Sequence, residues 1–139
     1  MSVFAKVVSG IFGKKSEKDL KILVVDDFSA TRIIVINYLS KLGYSNMVEA
    51  EDGFSALARL KSALFDLVVT DWSMSDMSGL DLLKQIRADS DLKHIRVLMV
   101  TSEDLHGNIV TAIKAGLNDY IVRPFKEHTF KQKLEKIFV

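Results

Sequence analysis

From Asp19 onward, short apolar runs alternate with segments whose apolar residues recur at helical spacing. Four of the runs stop at polar residues that can handle phosphate or magnesium. The runs are almost entirely apolar, which is typical of parallel strands covered on both faces. They lie at 22–25, 67–70, 97–100 and 120–122, and the residues that end them are Asp26-Asp27, Asp71, Thr101-Ser102 and Arg123-Pro124. The pattern predicts a parallel sheet whose carboxyl edge collects these side chains.

A further strand is predicted at 47–50, and the alternation of strands and helices indicates an α/β protein. Right-handed crossovers favour a flavodoxin-like (βα)5 doubly wound parallel sheet with strand order 2-1-3-4-5. Gly43 and Gly116 are expected to end the first and fourth helices. Apolar residues at helical spacing predict the first helix from Ile33, Ile34, Val35, Tyr38, Leu39 and Leu42. A short second helix behind Gly53 is predicted from Ala56, Leu57, Leu60 and Leu64.

The composition narrows the possible functions. A net charge of +1 argues against nucleic acid or an anionic membrane as the partner of the whole domain. The chain has no cysteine, which excludes disulfides and thiolate metal sites and agrees with a cytoplasmic location. No apolar stretch approaches the about 20 residues of a membrane span. The start of the chain does not resemble a signal peptide either, because Lys6 interrupts its apolar segment.

Residues 1–18 do not follow the alternation of strands and helices. They are predicted as an N-terminal extension to a domain at 19–139. Apolar residues form a stripe on two adjacent helical rows, namely Val3, Phe4, Val7, Val8, Ile11 and Phe12. Gly10 and Gly13 weaken the helix prediction. Three readings stay open: a frayed extension, a helix that docks on a partner or on this domain, and a segment that lies on a membrane surface.

The predicted carboxyl edge brings together groups suited to phosphoryl transfer. Asp26, Asp27 and Asp71 would repel one another unless a cation lies between them, and their hard oxygen ligands suit Mg²⁺. Asp71 can also act as a nucleophile and form an acyl-phosphate. Arg123 could neutralise the transferring group, and Thr101 and Ser102 could donate hydrogen bonds to it.

Taken together, these residues make the chain similar to the receiver domain of two-component response regulators, and most similar to the CheY-like chemotaxis response regulators. The resemblance covers about 19–139 and also accounts for the strand order 2-1-3-4-5, which is therefore not an independent result. The motifs that carry it lie at 25–29, 49–53, 71–75, 79–84, 86–89, 97–101 and 120–125. Their order and spacing together are specific, although each motif alone is weak.

The resemblance implies that a histidine kinase phosphorylates Asp71, with Mg²⁺ held by Asp26, Asp27, Asp71 and the backbone carbonyl of Ser73. Thr101 would move towards the phosphoryl group and Tyr120 would swing inward behind it. Ser73 and Glu103 would tune the rate of hydrolysis. The face formed by the fourth helix, fifth strand and fifth helix would then bind a partner, which in chemotaxis is the flagellar motor switch. Its predicted residues are Asp104, His106, Ile109, Tyr120 and Val122.

The chain departs from the family at several positions. Arg123 replaces the usual lysine, so we expect phosphorylation to survive and coupling to the partner face to change. Ser75 replaces a usual proline, which predicts a more mobile loop. Asp104, Leu105 and His106 make the partner face more acidic. The Arg123–Pro124 peptide bond is predicted to be cis, as in the family.

Other functions stay open beside the switch that the resemblance implies. One is a phosphate sink, and another is a pseudo-receiver that serves only as an interaction module. An enzyme of the same architecture is disfavoured, because no glycine-rich phosphate loop follows the first strand. A monomer is expected, with association through residues 3–12 as an option.

Overall fold

The computed structural model of the chain describes residues 19–102 and 106–138. The predictions for residues 1–18, for Glu103, Asp104 and Leu105, and for the side chain of His106 lie outside the described residues. The strands, helices and contacts of the structure are those of residues 19–102 and 106–138.

Five parallel strands form one sheet in the order β2-β1-β3-β4-β5. The strands are β1 (Lys21–Val25), β2 (Asn46–Ala50), β3 (Leu67–Asp71), β4 (Arg96–Thr101) and β5 (Asp119–Val122). Every residue of β3 is buried, and so is nearly all of β1 and β4, as expected for strands with helices on both faces. The predicted flavodoxin-like architecture and strand order are confirmed.

Helices cover the two faces of the sheet unequally. They are α1 (Ser29–Lys41), α2 (Gly53–Ser62), α3 (Gly79–Ala88), α4 (His106–Lys114) and α5 (Glu127–Ile137). Leu39 of α1 and Phe130 and Leu134 of α5 belong to the core on one face. The core on the other face takes its side chains from the remaining three helices. Among the described residues no helix has the length and apolar character needed to cross a membrane.

The ends of the helices follow from local chemistry. The Asp52 side chain accepts a hydrogen bond from the Ser55 N–H (2.7 Å) and caps α2, and Ser78 caps α3 in the same way through the Asp81 N–H (3.0 Å). Gly43 follows α1 with φ 98°, and Gly116 follows α4 with φ 104°. Both glycines therefore end their helices as predicted.

One sequence expectation about an apolar residue was wrong. Leu64 lies beyond the end of α2 and is 86% exposed, so it does not belong to that helix. Ile33 and Ile34 do lie in α1, as predicted, but they are 53% and 51% exposed, and that helix buries Val35 and Leu39. Consecutive apolar residues on a helix point in different directions, so only some of them can reach the sheet.

Candidate functional site

The register of the parallel strands brings the predicted polar residues to one edge of the sheet. Val25, the last residue of β1, pairs with Thr70, so Asp26 follows directly beside Asp71. Thr101 pairs with Val122, and Arg123 follows that pair. Thus Asp26, Asp71, Thr101 and Arg123 meet at the carboxyl edge because each follows or ends a neighbouring strand.

Three carboxylates form a cluster at this edge. Asp26, Asp27 and Asp71 each offer an oxygen atom, and these atoms lie within 4.8 Å of one another. Asp26 is 3% exposed and Asp71 is 5% exposed, whereas Asp27 is half-buried. Three acidic groups at this separation repel one another when all are charged.

Hydrogen bonds fix two of the carboxylates and leave one oxygen atom unpaired. Asp26 Oδ1 accepts from the Phe28 N–H (2.9 Å), and Asp27 Oδ2 accepts from the Ser75 N–H (3.2 Å). Asp27 Oδ1 is buried, and within the described part of the chain it accepts no hydrogen bond. A buried oxygen without a donor is costly, and a cation would relieve that cost. The hard oxygen ligands and the orphaned Oδ1 therefore fit Mg²⁺.

Burial dominates the electrostatics of the site. It raises the pKa of Asp26 to about 6, with the charges of Asp71 and Asp27 adding to the rise and the Phe28 N–H and Arg123 opposing it. Burial also raises the pKa of Asp71, while the Arg123 guanidinium and the N–H groups of Trp72 and Ser73 oppose that rise. In the absence of a further cation, the site therefore holds protons more tightly than free carboxyl groups do.

Arg123 is the cation that the described residues supply directly to the cluster. Its Nη2 lies 3.1 Å from Asp71 Oδ1 in an ion pair between a half-buried and a buried side chain. Its backbone N–H also donates to the Thr101 carbonyl (2.8 Å), which fixes the start of the loop after β5. The Arg123–Pro124 peptide bond is cis, as predicted. The guanidinium makes a single contact with Asp71 and leaves the other carboxylate oxygen to different partners.

The two predicted hydroxyl groups occupy different environments. Thr101 is 1% exposed, and its Oγ1 donates to the Ser102 carbonyl (3.3 Å). Ser102 is exposed just beyond the end of β4. Both residues thus lie at the carboxyl edge, and their roles towards a phosphoryl group stay predictions. The Ser73 side chain is exposed in the loop after Asp71, and its carbonyl stays a predicted ligand.

One residue proposed for the partner face is not available on the surface. Ile109 is 6% exposed because it packs into the core, whereas its neighbours Val110 and Ile113 are each 54% exposed. Tyr120 and Val122 are half-buried, and the Lys133 ammonium lies 5.1 Å from the centroid of the Tyr120 ring. The apolar surface of α4 is therefore formed by Val110 and Ile113 in place of Ile109.

Sequence reasoning missed two contacts that hold the loop after β3. Asp76 accepts hydrogen bonds from the Gly53 and Phe54 N–H groups (3.3 Å each) and ties the loop to the start of α2. Gly79 donates to the Trp72 carbonyl (2.7 Å), and a Cβ added at Gly79 would collide with the Asp71 carbonyl oxygen. A glycine at the start of a predicted helix after this loop was the available signal, and nothing in the sequence pointed to Asp76.

A third contact missed by the sequence supports the first acidic residue. Arg32 of α1 donates from Nη1 to the Asp26 carbonyl (2.6 Å), and its Nε lies 2.9 Å from Glu49 Oε1 in an ion pair. Arg32 thus joins α1, the end of β1 and β2 beside the cluster. No sequence pattern pointed to this contact, since an arginine on a helix is usually a surface residue.

Comparison with known proteins finds strong similarity over most of the chain. The family model for the response regulator receiver domain matches residues 22–135. Chemotaxis protein CheY-3 of Vibrio cholerae is 56% identical over 121 residues, which cover 87% of this chain and 93% of that protein. Chemotaxis protein CheY of Pseudomonas aeruginosa is 52% identical over 119 residues, which cover 86% of this chain and 96% of that protein.

Solved structures repeat the fold. CheY4 of Vibrio cholerae, a chemotaxis protein, matches with a TM-score of 0.79 at 31% identity, over 86% of this chain and 98% of that one. The receiver domain of a sensor histidine kinase from Pseudomonas aeruginosa, solved with a magnesium ion in its active site cleft, matches with a TM-score of 0.77 over 87% of this chain and 99% of that one. Its identity is 24%, so that likeness concerns the fold alone.

Proposed function

The chain belongs to the response regulator receiver family, and we propose that it acts as a single-domain switch that accepts a phosphoryl group on Asp71 from a histidine kinase. One observation carries this proposal. Asp71 is a buried carboxylate at the carboxyl edge of the sheet, paired with Arg123 and next to Asp26 and Asp27. The relatives named as chemotaxis proteins support a role in chemotaxis, and the cysteine-free chain fits the cytoplasm.

In the proposed phosphoryl transfer, Asp71 is the nucleophile. A carboxylate oxygen attacks the phosphorus of a phosphohistidine, the phosphorus–nitrogen bond breaks, and the imidazole leaves with its electron pair and takes up a proton. Arg123 neutralises negative charge on the equatorial oxygens, and Thr101 donates a hydrogen bond once its hydroxyl turns away from Ser102. Bound by Asp26, Asp27, Asp71 and the Ser73 carbonyl, Mg²⁺ would supply the remaining positive charge. We expect Ser102 to donate a hydrogen bond as well. Ser73 and Glu103 are expected to set the rate of hydrolysis.

The signal then passes to the face formed by α4, β5 and α5. We place the partner contacts on Tyr120, Val122, Asp104 and His106. The exposed Val110 and Ile113 of α4 join them, because Ile109 is buried. Phosphorylation would change the affinity of this face for its partner, which for a chemotaxis regulator is the flagellar motor switch. Association of two copies through residues 3–12 stays a separate prediction.

A second candidate rests on the ion pair between Arg123 and Asp71. If the guanidinium holds Asp71 too tightly, the chain is a pseudo-receiver that binds partners without being phosphorylated. A phosphate sink is the intermediate case, in which Asp71 accepts phosphate and the face does not bind the motor. The chemistry at Asp71 separates the pseudo-receiver from the other two.

The test uses Trp72, which is 9% exposed and follows Asp71 directly. We expect its fluorescence to change on addition of Mg²⁺ and again on addition of a small phosphodonor or beryllofluoride. Asp71→Asn should remove the second change, and an acyl-phosphate should be detected by mass in the unsubstituted chain alone. A folded protein that responds to neither addition would contradict the proposal. Phosphorylation that appears only with Arg123→Lys would establish the pseudo-receiver.

A further inference from the structure

A cavity at the opposite, amino edge of the sheet has no part in the proposed phosphoryl transfer. It has a volume of about 440 Å³ and lies between the end of α2 and the segment that leads into β4. Its apolar lining comes from Leu60, Leu64, Phe65, Leu92 and Ile95. Leu64 is 86% exposed at this cavity, so no described residue covers it. Leu60, Phe65, Leu92 and Ile95 are buried, so Leu64 is the large apolar side chain that an occupant of this cavity would cover.

The chain enters the described fold next to this cavity. The Lys21 N–H donates to Asp66 Oδ2, and the Asp66 N–H donates to the Lys21 carbonyl, both at 2.9 Å. The Lys21 ammonium lies 5.0 Å from the centroid of the Phe65 ring, and Phe65 lines the cavity. The segment that precedes Asp19 therefore starts within a few residues of the cavity wall.

The segment before Asp19 is long enough to reach this cavity. Residues 13–18 can span at most roughly 20 Å as an extended chain. The Lys21 ammonium, two residues into the described fold, lies 5.0 Å from the centroid of the Phe65 ring in the cavity wall. Residues 3–12 carry the predicted apolar stripe. A helix of ten residues is roughly 15 Å long. The carboxyl edge is farther by the length of β1, which is roughly 17 Å for a five-residue strand. A short tether also raises the effective concentration of the segment at the nearer site.

The charges at the cavity agree with the same occupant. Asp89 and Asp91 line it, with Lys61 as the opposing charge and His94 beside them. The segment carries Lys6 next to its stripe and Lys14 and Lys15 after it. The two carboxylates and the lysines that flank the stripe can therefore pair at the rim while the stripe contacts Leu64.

We propose that residues 3–12 of this chain dock in cis into the amino-edge cavity and cover Leu64. The site is then an intramolecular interaction surface at the edge of the sheet remote from Asp71. It stands independently of the function proposed above, since none of its residues belongs to the carboxylate cluster.

Cross-linking in the full-length chain tests where the segment lies. The chain has no cysteine, so a pair of substitutions gives one unique cross-link. Ser9→Cys combined with Lys61→Cys places one thiol on the segment and one at the cavity. The control combines Ser9→Cys with Lys126→Cys, an exposed position beyond β5 at the carboxyl edge. We expect the Lys61 pair to cross-link within one chain in roughly tenfold higher yield than the control.

Amide hydrogen exchange gives a second readout that needs no cysteine. Val8→Asp places a charge in the stripe, and Ser9→Asp places the same charge beside it as a matched control. We expect Val8→Asp to speed exchange at 62–65 and 91–95 by roughly tenfold, and Ser9→Asp to leave it unchanged. Equal effects of the two substitutions would overturn the proposal.

Three further outcomes would also overturn it. Preferential cross-linking at Lys126→Cys would place the segment on the carboxyl edge, and cross-links between two chains would place it on a second copy. Sedimentation of the full chain with vesicles of phosphatidylglycerol and phosphatidylethanolamine, without a cross-link at Lys61→Cys, would assign the segment to a membrane surface.

Discussion

The amino and carboxyl edges of the same sheet pair their polar side chains differently. At the amino edge, Asp66 accepts from the Lys21 N–H (2.9 Å), and Asn118 Oδ1 accepts from both the Val97 N–H (2.8 Å) and Arg87 Nη2 (2.9 Å). At the carboxyl edge, Asp27 Oδ1 is buried without a donor from the described residues.

Polar side chains at the amino edge stabilise the fold, whereas those at the carboxyl edge are arranged to bind a ligand. Side chains at the amino edge satisfy backbone groups that the ends of the strands would otherwise leave unpaired. The carboxyl edge concentrates buried acids whose pKa values rise, which costs stability and leaves oxygen atoms ready for a ligand. Substitutions at the amino edge should therefore lower stability, whereas removing an acid at the carboxyl edge should raise it.

Substitution of Arg87, at the amino edge, should give the largest change in the free energy of unfolding. Its guanidinium donates to the carbonyls of Gly116 (3.0 Å), Lys93 (3.0 Å) and Ile95 (2.6 Å) as well as to Asn118. Arg87→Ala should lower the free energy of unfolding by about 2–4 kcal/mol, because several acceptors lose their donor at once. Urea denaturation measures this loss. Arg87→Lys should recover part of it, and a loss below about 1 kcal/mol would contradict the structural role given to the amino edge.

Asp26→Asn, at the carboxyl edge, should raise the free energy of unfolding, whereas Arg87→Ala should lower it. The ordinary pKa of this carboxyl is 3.8 and burial raises it to about 6, so the folded protein binds its proton more tightly than the unfolded chain does. Stability in Mg²⁺-free buffer should therefore fall as the pH rises from about 4 to about 6 and stay lower above that range. Asp26→Asn should flatten this dependence and stabilise the protein at pH 7 by on the order of 1–3 kcal/mol.

The matched control for that substitution is Asp66→Asn at the amino edge, which removes a charge that bonds the backbone. It should not stabilise the protein at pH 7. If Asp26→Asn lowered stability as well, the two edges would not differ in the way described.

Addition of Mg²⁺ should stabilise the protein by a smaller amount. With Mg²⁺ at about ten times its Kd, the expected gain is about 1.4 kcal/mol. Protons compete with the cation for the same carboxylates, so the gain should shrink as the pH falls through about 6, the pKa of Asp26. Thermal unfolding with and without Mg²⁺ at several pH values measures it, and a gain independent of pH would place the cation elsewhere.

Ser75 gives the smallest expected effect. Its N–H donates to Asp27 Oδ2 (3.2 Å), a bond that proline cannot make. Ser75→Pro should therefore cost about 0.5–1 kcal/mol and alter Mg²⁺ affinity, whereas Ser75→Ala keeps the N–H and should change little. Equal affinities in the two variants would show that this bond does not position Asp27. The predicted mobility of the loop stays a prediction.

The polar residues at the carboxyl edge could be predicted from the sequence, but some of the contacts that support them could not. Strand ends are visible in the sequence, so Asp26, Asp71, Thr101 and Arg123 could be placed at one edge without coordinates. The contact of Arg32 with the Asp26 carbonyl could not, because it depends on the angle between α1 and the sheet. Leu64 was misplaced for a related reason, since helical spacing continues past the residue at which α2 ends.

Gly79 has a consequence for anyone who alters this protein. Its lack of a side chain lets the start of α3 lie directly against the backbone of Asp71 and Trp72. A Cβ at position 79 would collide with the carbonyl oxygen of Asp71, so the start of α3 would have to move away from the acidic residue. In a library of random variants, we therefore expect substitutions of Gly79 to impair function as substitutions of a site residue do, although Gly79 has no reactive group. The cause would be a larger distance between α3 and the backbone of Asp71.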